Sequence, residues 1–258
     1  MKNALVNSVS VIIPTYNRLN EAKRAIESVI SQSHKPLEII VIDDGSDISV
    51  KNDLRLYLIS KEIVLVELEH TGNPGYLRKI GIEAARGEWI AFLDDDDFWH
   101  PRKLEVQLKF ARSINVGFVS TLAGSNFSPG DLFDFDRVDF KRITRRSMLS
   151  RNSITNSSVL VQKSLLLSIG GYADSDFVIG AEDYATWLRL LDFTSLIMVS
   201  EVLTFYDRSD TIGHLSSKFS NRYVQNIGVF DYLEWAQNNS TKRFIIFRLF
   251  LKFARQFI

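Results

Sequence analysis

The chain has 258 residues, enough for one large α/β domain or two small ones around a sizeable core. Its 31 lysines and arginines balance 31 aspartates and glutamates, so net charge offers no general attraction to nucleic acid. The lack of cysteine excludes disulfides, thiolate nucleophiles and cysteine-ligated zinc and fits a reducing cytoplasm, and no window of 18 uncharged apolar residues argues for a membrane span.

The opening, MKNALVNSVSVIIPTYNR, has a weak apolar run broken by Asn7, Ser8 and Ser10, which reads as a strand rather than a signal peptide. Val9 to Ile13 is β-branched and closed by Pro14. Asn20 is placed to cap a helix with apolar positions Ala22, Ala25, Ile26, Val29 and Ile30, ending before Pro36. Leu37 to Ile42 is a second buried strand, followed by Asp43, Asp44, Gly45 and Ser46. A weaker helix (about Val50 to Ser60) and a strand (Ile63 to Leu68) come next. The turn Gly72-Asn73-Pro74-Gly75 then opens a helix with Leu77, Ile80, Ala84 and Ala85. Trp89 to Leu93 has the length and composition of a buried strand and ends in Asp94, Asp95, Asp96 and Asp97. Pro101 starts a helix carrying Leu104, Leu108 and Ala111. This β-α-β alternation predicts a Rossmann-like, mostly parallel sheet with helices on both faces.

Val116 to Thr121 is another strand, after which the pattern loosens. Asn126 to Asp139 reads as loop, and Lys141 to Arg151 holds five basic residues that suit a solvated face or a phosphate-bearing partner. Ser157 to Val161 reads as a strand, Lys163 to Ile169 as a short helix and Gly170-Gly171 as a turn. Glu182 and Asp183 begin a helix with Tyr184, Trp187, Leu188 and Leu190.

Four adjacent carboxylates raise one another's pKa and repel, so the Asp94 to Asp97 cluster needs solvent or a cation. It stands at the carboxyl end of a strand, where open α/β sheets place ligands. Oxygen-only donors suit Mg2+ or Mn2+, which keep waters and share their shell with substrate phosphates. In a parallel sheet Asp43/Asp44 and Asp94 to Asp97 share one edge, so a nucleotide diphosphate could touch both. Glu182/Asp183 then stays free to act on a second substrate as general base. His34, His70 and His100 lack metal-ligand spacing.

The blocks VSVIIPTYNR, IIVIDDGS, AARGEWIAFLDDDDFW and GGY followed by AEDYATWLRL closely resemble family 2 glycosyltransferases, the inverting family with the glycosyltransferase A-type fold. The resemblance covers about Val9 to Leu191. It implies a UDP-sugar donor contacted by Pro14, Tyr16, Asp44, Arg78, Asp94, Asp95 and Glu182, with Tyr16 near the uracil and Asp44 on the nucleoside. Asp96, with Asp94, stands as the metal pair within the run of four aspartates. Asp183 matches the catalytic base, and His214 is a further candidate for the metal or diphosphate. Lys79 stands where the family commonly has asparagine beside the arginine. The implied organisation is a nucleotide-sugar half (1–121), an acceptor and catalytic-base half (122–215) and a C-terminal helical region (216–258). A nucleotidyltransferase of similar architecture would begin with a glycine-rich phosphate loop, which VIIPTYNR lacks. A metal-dependent nucleotide-sugar hydrolase and an inactive glycan-binding module stay open as competing functions.

Thr241 to Ile258 holds five basic residues and no acidic one, leaving a formal −5 on the rest. Arg248, Lys252 and Arg255 share one helical face among Phe, Ile and Leu, as an interfacial helix requires. By analogy with small bacterial family members, the expected acceptor is a sugar on undecaprenyl diphosphate in O-antigen or other surface polysaccharide synthesis. The expected location is cytoplasmic, peripheral at the inner face of the bacterial plasma membrane.

Overall fold

β1 (Val9–Thr15) is buried along its whole length and lies between β2 (Glu38–Asp43) and β4 (Trp89–Phe92), parallel to both. The computed structural model describes residues 7–125, 138–206 and 221–239. β3 (Val64–Glu67) extends the parallel set beyond β2, with α1 (Leu19–Ile30), α2 (Ile48–Ile59) and α3 (Pro74–Ala84) as crossovers. Beyond β4 come β5 (Asp97–Trp99), α4 (Lys103–Ile114), β6 (Phe118–Gly124), β7 (Phe140–Ile143), α5 (Arg145–Ser150), β8 (Leu160–Gln162), α6 (Lys163–Ser168), α7 (Glu182–Leu190), β9 (Leu196–Tyr206) and α8 (Asn221–Asn239). Among the described residues the sheet has nine strands in the order β3-β2-β1-β4-β8-β6-β9-β5, with β7 beside β9. β8 runs antiparallel to β4 and β6, and β5 and β7 antiparallel to β9, so the second half is mixed.

Alternation along β1 explains the two layers. Ile12 points to a core completed by Phe92, Phe118, Tyr184 and Trp187, whereas Val11 and Ile13 point to one completed by Ile26, Leu54 and Leu104. Each such fully buried aliphatic or aromatic side chain contributes about 2 kcal/mol of transfer free energy. Helices on both faces therefore follow from strands that are apolar on both sides.

Three local expectations need correction. Asn20 is exposed in the first turn of α1, and Arg18 holds the N-cap position without a side-chain cap. The apolar spacing marked the helix, but its first turn is held by tertiary contacts of the preceding loop. Pro14 lies inside β1. The Ile12 carbonyl accepts from Leu93 on the β4 side, so Pro14 faces the side where the β4 ladder has already ended and its missing N–H costs nothing. Asn156–Ser158 is a 3-10 turn, and the strand begins only at Leu160. β5, β7 and β9 were not expected from the sequence.

The basic stretch divides. Arg145 pairs with Asp192 and donates to the Tyr232 hydroxyl at 3.0 Å, tying α5 to α8, while Lys141, Arg142, Arg146 and Arg151 are exposed. No helix among the described residues is long and apolar enough to cross a membrane. His214, most of the predicted 126–139 loop and the tail from Thr241 lie outside the described residues.

Candidate active site

The carboxyl ends of β1, β2 and β4 supply Thr15 to Arg18, Asp43 to Ser46 and Asp94 to Asp97 to one edge. They open on a cleft of about 520 Å³ lined by Pro14, Thr15, Tyr16, Arg18, Asp44, His70, Gly72, Pro74, Leu77, Arg78, Asp94, Asp95, Asp96, Asn156, Gly180, Glu182 and Asp183. Apart from His214, every sequence-predicted site residue lines this cleft.

At one end, the two acids that finish β2 and begin the following turn divide their work. Asp43 is fully buried and accepts from the Ser46 backbone N–H and hydroxyl, closing the turn into α2. Asp44 reaches the segment before α3: its Oδ1 accepts from the Thr71 N–H at 2.8 Å and hydroxyl at 2.9 Å, and its Oδ2 from the Gly72 N–H at 2.9 Å. Gly45 permits this approach, since it has φ +76° and a Cβ there would sit 2.6 Å from the His70 nitrogen. His70 Nδ1 lies 2.9 Å from the Asp44 carbonyl and 3.1 Å from its Oδ2. Both are acceptors, so Nδ1 carries the proton. The His70 ring stacks on Tyr16 with centroids 4.1 Å apart, making an aromatic wall at the exposed rim.

The four aspartates resolve their repulsion by alternating. Asp94 and Asp96 are half-buried toward the cleft, whereas Asp95 and Asp97 are buried. Thr15 Oγ1 donates to Asp95 at 2.8 Å, and Arg18 Nη1 lies 3.3 Å from Asp95 Oδ1 and 2.8 Å from Asp96 Oδ2. Burial, with the neighbouring Asp96 charge, pushes Asp95 up to about 7. Burial and the Asp94 charge likewise raise Asp97 well above the usual carboxylate range.

The second half meets the first through Arg78 on α3. Its buried guanidinium donates to Asp94 at 2.6 Å and to Glu182 at 3.1 Å, while Asn156 donates to the same Asp94 oxygen at 2.8 Å. Tyr172 donates to Asn156 at 2.8 Å and lies under the guanidinium, 5.3 Å from ring centroid to Cζ. The start of α3 is pressed against the second half. The Asn73 side chain caps the helix by accepting from the Tyr76 N–H and donates to the Asp174 carbonyl, and Lys79 pairs with Asp174 at 2.7 Å. A Cβ at Gly75 would lie 2.1 Å from the Ala173 carbonyl oxygen, so only glycine allows this docking.

Glu182 and Asp183 open α7, anchored below by Trp187 against Phe92, Phe118 and Tyr172. Glu182 turns inward, accepting from Arg78 and from the Gly180 N–H at 2.7 Å. Asp183 stays on the cleft wall, half-buried, and accepts from the Tyr184 N–H at 2.5 Å. Burial and then repulsion from Glu182 outweigh Arg78 and push it up to about 7, a value that suits a general base.

Asp94 and Asp96 offer half-exposed, hard oxygen donors at the cleft, the kind that Mg2+ or Mn2+ accepts when phosphate oxygens and water complete its shell. Among the described residues no three His, Asp or Glu side chains are arranged to hold an ion unaided. Sequence reading missed Thr15, Arg18, His70 and Asn156 as cleft residues. For Arg18 and Thr15 the signal was adjacency to Tyr16; for Asn156 and His70 no local signal existed.

Residues 10–163 match the family model for glycosyl transferase family 2, which spans β1 to β8 and so every cleft residue before Gly180; Asp183 lies beyond the matched residues. The chain is 32% identical over 187 residues to the putative teichuronic acid biosynthesis glycosyltransferase TuaG of Bacillus subtilis, covering 71% of each chain. It is 30% identical over 186 residues to WfaP of Escherichia coli, a UDP-Glc:alpha-D-GlcNAc-diphosphoundecaprenol beta-1,3-glucosyltransferase, covering 71% of this chain and 70% of that one. Glycosyltransferases of three Rickettsia species are 42% to 45% identical over only 113 to 115 residues, 44% of this chain, which spans less than a fifth of their lengths. In fold the chain resembles S. aureus TarS 1–349, solved in complex with UDP-GlcNAc, with TM-score 0.73 and 17% identity over 96% of this chain and 71% of that one. On a match that runs through more than half its length, this chain belongs to glycosyl transferase family 2.

Proposed function

We propose that the protein moves a hexose, with glucose or galactose favoured, from a UDP-sugar to a hydroxyl of a lipid-diphosphate-linked sugar. The new bond is β-glycosidic, and the product is a precursor of O-antigen or another surface polysaccharide. One observation carries the reading: Asp183, with its carboxyl pushed up to about 7, shares a single cleft with Asp94 and Asp96. The names of WfaP and of the TarS complex support a UDP-sugar, and WfaP supports the lipid-linked acceptor.

Tyr16, stacked on His70, borders the uracil, and Pro14 and the Asp44-braced Thr71-Gly72 segment shape the nucleoside slot. Arg78 and Asn156 fix Asp94, with Asp95 and Glu182 in the surrounding network, so that the ribose and sugar meet a rigid carboxylate. Asp96 and Asp94 would hold Mg2+ or Mn2+, which neutralises charge on the departing diphosphate. Asp183 takes the proton of the acceptor hydroxyl as its oxygen attacks the anomeric carbon from the face opposite UDP. The carbon–oxygen bond to UDP breaks, its electron pair leaves with the diphosphate, and an α-linked donor becomes a β-glycoside. A base near 7 accepts that proton more readily than an ordinary carboxylate and is still largely ionised at pH 8.

The basic amphipathic tail, Thr241 to Ile258, would seat the enzyme on anionic lipid at the inner membrane face, each basic residue adding about 1 kcal/mol near the surface. Deleting it should move the protein from the membrane to the soluble fraction.

UDP release from a panel of UDP-sugars, with Mg2+ or Mn2+ and with or without a synthetic GlcNAc-diphospholipid, tests the activity. Release that needs both metal and acceptor is expected. Acceptor-independent release at the same rate would make the protein a hydrolase, and no release with any donor would remove the assignment.

A further inference from the structure

Arg18 neutralises the carboxylate that the proposed function assigns to the divalent ion. It stands at the N-cap position of α1, and its Nη1 lies 2.8 Å from Asp96 Oδ2 and 3.3 Å from Asp95 Oδ1. Asp95 is held from its other oxygen by Thr15 at 2.8 Å, and the Asp96 carbonyl by Arg24 at 2.7 Å, so the acid run is anchored by contacts besides Arg18. The Arg18 side chain is 30% exposed at the cleft, unlike Arg78, which is 6% exposed and braced by Asp94, Glu182 and Tyr172.

A dication entering alone would have to drive this guanidinium off Asp96 and leave two cationic groups crowded against Asp95 and Asp96. A dication arriving with a nucleoside diphosphate brings anionic oxygens that give the displaced guanidinium a new bidentate partner. The exchange is then charge-balanced. We infer that Arg18 makes divalent-cation binding depend on the diphosphate: it neutralises Asp95 and Asp96 in the free protein and passes to the phosphate oxygens when the loaded donor arrives. This rests on the proposed donor reading. Its consequence for function is that metal alone does not charge the site, so the departing UDP and the ion leave together. Coupling of this kind is reciprocal, so it can be read from either ligand.

The test is Mn2+ titration followed by electron paramagnetic resonance on the full chain, with and without UDP, for wild type, Arg18→Gln and Arg18→Lys. UDP binding at saturating Mn2+ is measured in parallel by calorimetry, and thermal melts confirm that each variant is folded. In wild type UDP should tighten Mn2+ by about tenfold or more. Arg18→Gln should bind Mn2+ alone about tenfold tighter than wild type, lose most of the UDP-linked gain and hold UDP more weakly at saturating Mn2+. Arg18→Lys, with the charge but not the fork, should retain part of the coupling. Unchanged Mn2+ affinity in Arg18→Gln, with UDP still binding to wild type, would overturn the inference alone. Absence of UDP binding in wild type would overturn the donor reading and the inference with it.

Discussion

Asp94 at the end of β4 and Glu182 at the start of α7 are joined by one guanidinium, Arg78, at 2.6 and 3.1 Å. The acid run after β4 and the helix that presents Asp183 are thus fixed to each other through a single buried charge. Removing one partner of such a group leaves the others uncompensated. Arg78→Met should destabilise the protein by about 3 kcal/mol or more, lowering Tm by roughly 10 °C on the usual scale for chains of this size. Adding Glu182→Met should recover part of the loss, because it removes one of the stranded carboxylates. Thermal melts of the two variants check this, and additive losses would contradict it.

Asp183→Asn separates chemistry from stability. As the base, its loss should cut kcat by about 10²- to 10⁴-fold while leaving UDP affinity within about twofold. In wild type kcat/KM should rise with pH through about 7, as the carboxyl ionises in the free enzyme. The folded carboxyl sits above its ordinary 3.8. Between about pH 4 and 7 the unfolded chain has already released a proton that the folded chain keeps, so stability falls as pH rises through that window. The asparagine variant escapes this loss and should melt a few degrees higher than wild type at pH 8, with little difference at pH 4. Equal transfer rates for the two proteins would remove the base assignment.

Gly75→Ala probes the contact between the two halves. Its Cβ would fall 2.1 Å from the Ala173 carbonyl, against backbone that has little room to give. A loss of about 1 to 3 kcal/mol is expected from such overpacking, read as a lower urea midpoint with an unchanged slope. An unchanged midpoint would show that the start of α3 is not pressed on this segment.

His70→Ala removes the ring stacked on Tyr16 and the Nδ1–H bond to Asp44, but little buried area. Stability should fall by no more than about 0.5 to 1.5 kcal/mol, the net worth of the lost hydrogen bond, whereas UDP binding should weaken by about five- to tenfold, at the lower end of what base-stacking rings contribute. Calorimetry with UDP against melts of the same sample distinguishes the two effects.

The parallel half of the fold was legible because β1, β2 and β4 are short β-branched runs separated by helices of clear apolar spacing. The acids that follow β2 and β4 were legible for the same reason, since carboxylates directly after a buried strand must face the sheet edge. Their division of labour was not: Asp43 closes a local turn while Asp44 braces a segment 26 to 28 residues away, and the sequence treats them alike. Arg18 and Asn156 meet the acid run across 77 or 78 and 62 residues, contacts that only the completed sheet creates. β5 and β7 are three and four residues long, and β7 is mostly exposed, so neither shows an apolar period. β9, LIMVSEVLTFY, did carry a β-branched signal and was the strand that could have been found.

The stereochemistry of the product tests the central claim most directly. Proton NMR of the glycoside formed from an α-linked UDP-hexose and a GlcNAc-diphospholipid, with Mg2+ or Mn2+, reads the anomeric configuration of the new bond. The predicted product is a β-glycoside whose formation is lost in Asp183→Asn. An α-glycoside, or a β-glycoside formed equally well without Asp183, would contradict a single displacement driven by that base.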